Sequence, residues 1–326
     1  MLGNKKKTLS IVYNDFMVSM LAVVGNDLRK GATYQIPLQE GIVQHGRILD
    51  PDAFYRALKT PLKNLKIKKY HVRVIVPNHD IEMKQITIPE NLTTFDQVDN
   101  YIFKEIGKSI HLAFETPVVD IYDEDSTDGE AMLFATERNE VDKIIEVVES
   151  LGQIPEVVDI KSLANLRTLE KVMPSYTEKT SMILDWSINE VTMSIVENHH
   201  VKLLRTHTIP TTQSDWMLKE QEAHSFTHTL SNHIEMYMDE LSHAFVEIQH
   251  ICQFYEISLN KGMKQVQQLI VLGDHPMLPK ITELLRVKFP LEVVQITDEQ
   301  VGEVFTTYQL KHCSLLGLEM KEASMV

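Results

Sequence analysis

Short runs of hydrophobic residues bounded by polar turns dominate the first part of the chain, and this pattern predicts strands. The runs at 9–13 and 18–24 flank the turn-prone pair Asn14-Asp15, which predicts a β-hairpin. A further strand pair is predicted around Gly46, and Asp50-Pro51 then marks the start of a helix that ends near residue 64. With a strand over 72–76, residues 1–79 predict a sheet that carries one helix.

Residues 80–160 carry a separate order of elements. Strands are predicted at 83–88, 118–122, 131–135 and 157–160, and helices over 95–110 and 141–151. This βαββαβ order is that of a ferredoxin-like unit, here inserted into the first half. An acidic run at 123–130 predicts a solvated hairpin turn within the unit.

The second half begins with strands much as the first half does. After a helix over 163–172, strands are predicted at 181–184, 191–196 and 201–206. Apolar residues three and four apart then predict one long helix over 219–259. A strand at 269–272, a turn at 273–276, a helix over 279–288, a strand at 291–295 and a closing helix follow. The sequence thus predicts two similar α/β halves.

Charge and composition narrow the function. The 326 residues include 32 basic and 46 acidic ones, and the net charge of −14 argues against a protein that mainly binds nucleic-acid phosphates. No apolar run is long enough to span a bilayer, and two cysteines, Cys252 and Cys313, indicate a reducing cytoplasm. The chain has only 12 glycines. Phosphate-binding loops need glycine, because the backbone must approach the anion closely.

Sequence motifs with a known mechanism are missing. The chain has no Walker A loop, no dinucleotide-binding glycine motif, no zinc-protease motif and no serine-hydrolase elbow, so we predict no catalytic residue. His224 and His228 are four residues apart and would share one face of the predicted long helix. No third ligand is evident, so a solvated polar face is predicted and no metal site.

One basic cluster stands out on this acidic chain. It comprises Lys59, Lys63, Lys66, Lys68, Lys69 and Arg73. Two interpretations stay open: an ordinary solvated surface, and contact with an anionic lipid surface or an acidic partner segment.

Several segments, read in order, carry a resemblance to a known family. They are the opening hairpin, residues 41–48 with the following helix, the βαββαβ insertion, 183–185 with 191–192, 247–255, 271–273 with 278–279, and 316–318. The chain resembles the actin-like ATPase superfamily and, within it, the PilM branch of type IV pilus assembly proteins, which is related to FtsA. This resemblance implies an α/β, actin-like (ribonuclease H-like) two-domain fold with a ferredoxin-like 1C insertion.

The resemblance also implies domain boundaries. Domain 1A is expected to cover residues 1–79 and 161–178, and subdomain 1C is expected to cover 80–160. Domain 2 would span 179–326, with the closing helix returning to 1A.

The loops that bind nucleotide in this superfamily are altered here. In the first phosphate loop, Asn14 stands at the glycine position and Ser19 at the lysine position, while Asp15 and Phe16 add a negative charge and a bulky ring. A carboxylate beside phosphates is repelled by them unless a metal intervenes. By the resemblance, the degenerate nucleotide site comprises Asn14, Asp15, Ser19, Asp185, Ser187, Thr192, Gly273 and Asp274.

In the second loop, Asp185 and Thr192 are retained, whereas Ser187 replaces a glycine and Trp186 precedes it. In the adenosine motif, Gly273 is retained and Asp274 replaces the second glycine.

Two functions follow from these changes. The first is a scaffold with a decayed nucleotide site, a pseudo-ATPase that needs neither ATP nor magnesium. The second is a working ATPase with ATP and magnesium as cofactors, in which Asp185 holds a metal-bound water and Asp15 serves as a metal ligand. A cleft filled by Phe16, Trp186 and Asp274 would favour the scaffold.

The family resemblance implies a place in the cell and a partner. Such a protein is expected in the cytoplasm at the inner face of the cell membrane, within a machine that assembles pili or serves competence. A groove between 1A and 1C, near the strand at 83–88 and the helix over 95–110, would bind the N-terminal cytoplasmic peptide of a PilN-like inner-membrane protein.

A pilus motor ATPase and a second copy of the chain are further expected partners, and nucleic acid is not. Membrane contact would come through the partner or through the basic cluster. An FtsA-like division protein is the alternative, disfavoured because residues near 326 do not form an amphipathic membrane helix.

Overall fold

The protein forms two large sheets, a smaller three-stranded sheet and helices that cover them. The structure, a computed structural model, describes residues 6–25, 27–92, 94–122, 129–222 and 224–322. The elements of the first half are β1 (Lys7–Tyr13), β2 (Met17–Val24), β3 (Ala32–Pro37), β4 (Val43–Gln44), β5 (Arg47–Ile48), α1 (Pro51–Asn64), β6 (His71–Val76), β7 (Glu82–Thr87), α2 (Phe95–Glu105), β8 (Pro117–Tyr122), β9 (Glu130–Glu137), α3 (Arg138–Ser150), β10 (Ile154–Ile160) and α4 (Lys161–Val172). Those of the second half are β11 (Ser181–Ser187), β12 (Glu190–Glu197), β13 (His200–Thr208), β14 (Trp216–Glu222), β15 (Ser225–Leu230), α5 (Ile234–Gln253), β16 (Gln268–Gly273), α6 (Leu278–Lys288), β17 (Glu292–Gln295), α7 (Asp298–Phe305) and α8 (Cys313–Met320).

The two large sheets repeat one topology. Their strand orders are β10-β6-β1-β2-β3 and, read in the same direction, β17-β16-β11-β12-β13. In each sheet, three strands that are consecutive in the chain pair antiparallel. Two further strands, parallel to the first of the three, continue the sheet on its other side. Every residue of β11 is buried, as expected for a strand covered on both faces. The repeat confirms the two similar halves that the sequence predicts.

The inserted sheet differs from the predicted ferredoxin-like unit in one strand. Its order is β7-β9-β8, and Val98 and Ile102 of α2 belong to its apolar core with Leu133. The predicted fourth strand, β10, lies instead in the first large sheet, where it runs parallel to β6 and Val158 pairs with Val74. There its backbone pairs with β6 from Ile154 to Ile160 and covers what would otherwise be the edge of the large sheet. Residues 123–128 of the predicted acidic turn lie outside the described residues.

The predicted long helix over 219–259 is wrong in its first part. Residues 216–230 form the hairpin of β14 and β15, and α5 begins only at Ile234. His233 has a φ of 50°, so a right-handed helix cannot continue through it. His224 therefore lies in the hairpin turn and His228 on β15, opposite Leu218, not together on a helix face. The backbone N–H of Gln35, on β3, donates to the carbonyl of His224, so the hairpin covers the edge of the first sheet.

The closing helix α8 packs against the first half of the chain. Its Gly317 lies against Ala164 of α4, where an added Cβ would come within 1.7 Å of the Ala164 carbonyl oxygen. Arg73 is buried and donates to the carbonyl oxygens of Leu318 and Lys321 at 3.2 and 2.6 Å. Arg73 is thus a structural residue and not part of the surface cluster that its sequence neighbours predict.

No helix of the described residues combines the length and the hydropathy that crossing a membrane demands.

Candidate functional site

A groove separates the three-stranded sheet from the first large sheet. Its volume is about 420 Å³, and we call it the partner groove. Its apolar lining comes from β6, β8, β9, α3 and β10, and includes Val76, Val118, Phe134, Val141, Ile145 and Val158. The strand β7, which covers most of the expected 83–88 segment, lies at the far edge of the small sheet and does not line this groove. The helix α2 contributes Phe103, whose side chain is 53% exposed.

Two edge strands border the partner groove. Within the described part of the chain, β8 pairs only with β9, and β10 pairs only with β6. Edge strands keep unpaired backbone N–H and C=O groups that can accept a further strand. One such group, the carbonyl of Val158, accepts a hydrogen bond of 3.2 Å from the Lys321 ammonium.

Lys321 spans the groove at one end. Its Nζ lies 3.5 Å from Oδ2 of Asp120 on β8 and 3.2 Å from Oδ1 of Asp159 on β10. The guanidinium of Arg167 contacts the other oxygen of Asp159 at 2.7 Å. This end of the groove therefore carries two carboxylates bridged by a lysine of the same chain.

A cleft between the two halves lies where β1–β2, β11–β12 and the end of β16 meet. In the first turn, the Asn14 Oδ1 accepts hydrogen bonds from the backbone N–H groups of Phe16 and Met17, each at 2.9 Å. This side chain holds a tight turn in place of the glycine.

The carboxylate of Asp15 is saturated by protein donors. It accepts from the backbone N–H groups of His45 and Gly46, each at 2.9 Å, and from the Asn189 amide of the other half at 2.8 Å. Burial raises the pKa of Asp15, and the two backbone donors offset part of the rise. A carboxylate engaged in this way is not presented to a metal.

A buried lysine occupies the centre of the cleft. The Lys161 Nζ lies 2.9 Å from Asp185 Oδ2 and 3.2 Å from the Ser187 hydroxyl. Burial alone would lower the pKa of Lys161, but the carboxylates of Asp185, Asp274 and Glu190 outweigh it and raise the pKa above its ordinary value. The lysine is therefore charged at neutral pH and neutralises the acidic groups around it.

Further side chains join the two halves directly. The Asn78 amide donates to Thr192 Oγ1 at 3.0 Å, and His79 pairs with Glu190 at 3.1 Å. The hydrogen bond to Glu190 raises the pKa of His79. Burial would raise the pKa of Glu190, but the hydrogen bond from His79 and the charge of Lys161 outweigh burial and lower it.

The retained Gly273 has a packing role. Its φ is 126°, and an added Cβ would lie 2.1 Å from the Trp186 carbonyl oxygen. The Trp186 side chain points into the core, with its ring 5.9 Å from that of Phe245, so it does not fill the cleft. Asp274 accepts from the Ser187 hydroxyl at 2.8 Å. Phe16 is buried with its ring 5.5 Å from that of His228.

The space directly between the loops is small in this structure. Two cavities lie there, of about 30 and 20 Å³. The residues that should face phosphates and metal are instead bonded to one another across the cleft. A wider cavity of about 410 Å³ lies alongside, between Gly273-Asp274 and the β14–β15 hairpin. No group of three or more metal-ligating side chains occurs among the described residues.

All eight nucleotide-site positions predicted from the sequence border this cleft. The sequence did not point to the residues that bind these eight positions, which include Asn78, Lys161, Asn165 and Asn189, nor to the pair His79 and Glu190 beside them. One signal was available: Lys161 is the first residue of a helix, where the helix dipole disfavours a cation.

Solved structures share this fold at low sequence identity. The PilM-PilN type IV pilus biogenesis complex contains a chain that superposes with a TM-score of 0.71 at 14% identity, over 97% of this chain and 98% of that one. MreB5 of Spiroplasma citri bound to ADP gives 0.53 at 10% identity, over 97% and 95%. EutJ from Carboxydothermus hydrogenoformans gives 0.50 at 9%, over 96% and 89%. The protein thus has the actin-like ATPase fold that its sequence predicts.

Family membership rests on the sequence match. No curated protein matches the chain. The family model described as type IV pilus assembly protein PilM matches residues 16–299, which is most of the 326-residue sequence. The chain therefore belongs to the PilM family of type IV pilus assembly proteins.

Proposed function

We propose that this protein is a cytoplasmic scaffold of a pilus-type assembly machine at the inner face of the cell membrane. It binds the short cytoplasmic segment of a PilN-like membrane protein in the partner groove. The observation that carries the proposal is this groove, apolar and bordered by the free edges of β8 and β10, in a member of the PilM family. The similar structure of a PilM-PilN complex supports the choice of partner.

The groove suits an extended peptide. Main-chain groups of the peptide add to an edge strand, while alternate side chains enter the apolar lining. A cationic side chain would replace Lys321 between Asp120 and Asp159 and keep both carboxylates paired. The groove thus favours a segment with apolar residues and a basic residue near one end.

Two phenylalanines of α2 give a matched test of this placement. Phe95 and Phe103 are both 53% exposed, but only Phe103 lines the groove. With a fluorescent peptide of the PilN-like cytoplasmic segment, Phe103→Ser should weaken binding about tenfold, since it removes an apolar contact of the interface. Phe95→Ser should bind as the unchanged protein does. Equal affinities of the two variants would contradict the groove as the binding site.

We further propose that the cleft stays closed without nucleotide. Lys161 supplies the positive charge among Asp185, Asp274 and Glu190 that a metal ion would otherwise provide. A working ATPase is the second candidate, favoured by the cavity of about 410 Å³ beside Gly273 and Asp274.

A further inference from the structure

Five exposed lysines form one surface at an end of the first half. Lys59 and Lys63 lie on the outer side of α1, opposite its buried Phe54, Leu58 and Leu62. Lys66, Lys68 and Lys69 follow in the turn that leads to β6. We call these five residues the basic face. None of them forms an ion pair with an acidic side chain of the described residues, in contrast to Lys6, which pairs with Glu156 at 2.7 Å.

Helix electrostatics explain only a small part of this charge. A cation in the last turn of a helix interacts favourably with the helix dipole, and Lys63 is the basic residue in the last turn of α1. The three lysines of the turn lie beyond the helix. Lys66 and Lys69 have φ values of 57° and 56°, a backbone region that favours glycine. Charge is therefore placed at positions where the backbone alone would favour another residue.

We propose that the basic face is a docking surface for an anionic lipid membrane. The five lysines are exposed and line none of the cavities described above, so they offer a spread-out surface charge. Lysine carries its charge on a flexible side chain and, unlike arginine, has no planar group that binds a carboxylate through two parallel hydrogen bonds. Such a charge suits a fluid lipid surface. The rest of the chain is strongly acidic, so an anionic bilayer would attract this face and repel the others.

The position of the basic face agrees with a membrane nearby. Ile154 pairs with His71, directly after the lysine turn, and its side chain is 44% exposed. The partner groove begins at Glu156, about 7 Å further along β10. A membrane that contacts the basic face would thus lie close to the entrance of the groove. This inference stands on the charges alone and does not require the proposed function.

Vesicle co-sedimentation of the full chain tests the proposal. The unchanged protein should bind vesicles of phosphatidylglycerol and phosphatidylcholine at low salt but not vesicles of phosphatidylcholine alone. Replacing all five lysines of the basic face by Gln should weaken binding about 100-fold or more, since each lysine contributes separately. The control replaces five other exposed lysines, Lys108, Lys171, Lys219, Lys261 and Lys280, and should bind as the unchanged protein does. No binding to the anionic vesicles, or equal loss in both variants, would overturn the proposal.

A pair of single variants separates charge from folding. Lys66→Gly and Lys261→Gly each relieve a positive φ, of 57° and 51°, so both should keep or raise the melting temperature. Only Lys66→Gly should weaken vesicle binding, by about fivefold. Equal vesicle binding by the two variants would count against the basic face. The Phe103→Ser variant of the groove should bind vesicles normally, so failure of either proposal is visible separately.

Discussion

Lys161 decides the electrostatics of the cleft. It is a cation at the start of a helix, buried among carboxylates that come from three different strand ends. Neither its burial nor its place at the helix dipole is favourable by itself. Its partners make it stable, and it in turn allows Asp185 to stay buried.

Removal of the Lys161 charge is expected to destabilise the fold. Lys161→Met leaves Asp185 buried without its cation, so the free energy of unfolding in urea should fall by about 3–5 kcal/mol. The double variant Lys161→Met with Asp185→Asn removes both charges and should recover part of that loss. A double variant as unstable as the sum of the single ones would show that the two groups do not interact.

His79 gives the closed cleft a pH dependence. The folded protein raises the pKa of His79 above its ordinary value of 6.5, while the pKa of Glu190 is lowered, so Glu190 stays ionised near neutral pH. The stabilisation from the His79 charge is complete below the unfolded pKa and is lost as pH rises through the raised folded pKa. The difference in unfolding free energy between the protein and His79→Gln should therefore shrink as pH rises above the ordinary histidine pKa of about 6.5. A constant difference would contradict the ion pair.

At the scale of elements, the contact between α8 and α4 joins the end of the chain to its first half. It depends on a close backbone approach at Gly317. The hydroxyl of Ser10 also donates to the Glu319 carboxylate at 2.8 Å, so α8 is held by β1 as well. Gly317, within the 316–318 segment that carries part of the family resemblance, therefore fixes how two helices pack.

Two helical glycines should respond to alanine in opposite directions. In Gly317→Ala, the new Cβ meets backbone atoms of Ala164, so α8 must shift and the free energy of unfolding should fall by about 3 kcal/mol. In Gly302→Ala, the nearest atom is 3.9 Å away, and helix propensity should stabilise the protein by about 0.5–1 kcal/mol. Urea unfolding of both variants measures this. A similar loss in both would contradict the close approach of α8 to α4.

At the scale of the whole molecule, the two halves are held together by their own side chains. Asp15 with Asn189, Asn78 with Thr192 and His79 with Glu190 all cross the cleft. The hairpin of β14 and β15 adds a contact to the edge of the first sheet. These side-chain contacts hold the two halves in a closed arrangement without a ligand between them.

Nucleotide should therefore have little effect on the molecule. We expect calorimetry to detect no binding of ATP with magnesium up to about millimolar concentration, since the cleft cannot admit phosphates without breaking its internal bonds. Binding that disappears in Asp185→Ala would instead show that the altered loops form a working site. That outcome would favour the ATPase candidate and overturn the closed scaffold.

The sequence by itself determined the two repeated halves, the positions of most strands and which loops come together at the cleft. Hydrophobic periodicity and turn residues are local signals, and they suffice where local preference and final packing agree, as in β1, β2 and α1. The spacing of apolar residues after 219 fits both a helix and a strand. The residues form strands because their hairpin covers the edge of the first sheet.

The tertiary structure alone decided which distant residues meet. Strand β10 lies outside the inserted unit because it pairs with β6, which would otherwise be the edge of the large sheet. Arg73 lies outside the basic cluster because α8 offers it carbonyl oxygens. Lys161 is held by carboxylates that lie at least 24 residues later in the chain, the first of them Asp185. Interactions between charges depend on distance and burial in space, and neither is written in the spacing of residues along the chain.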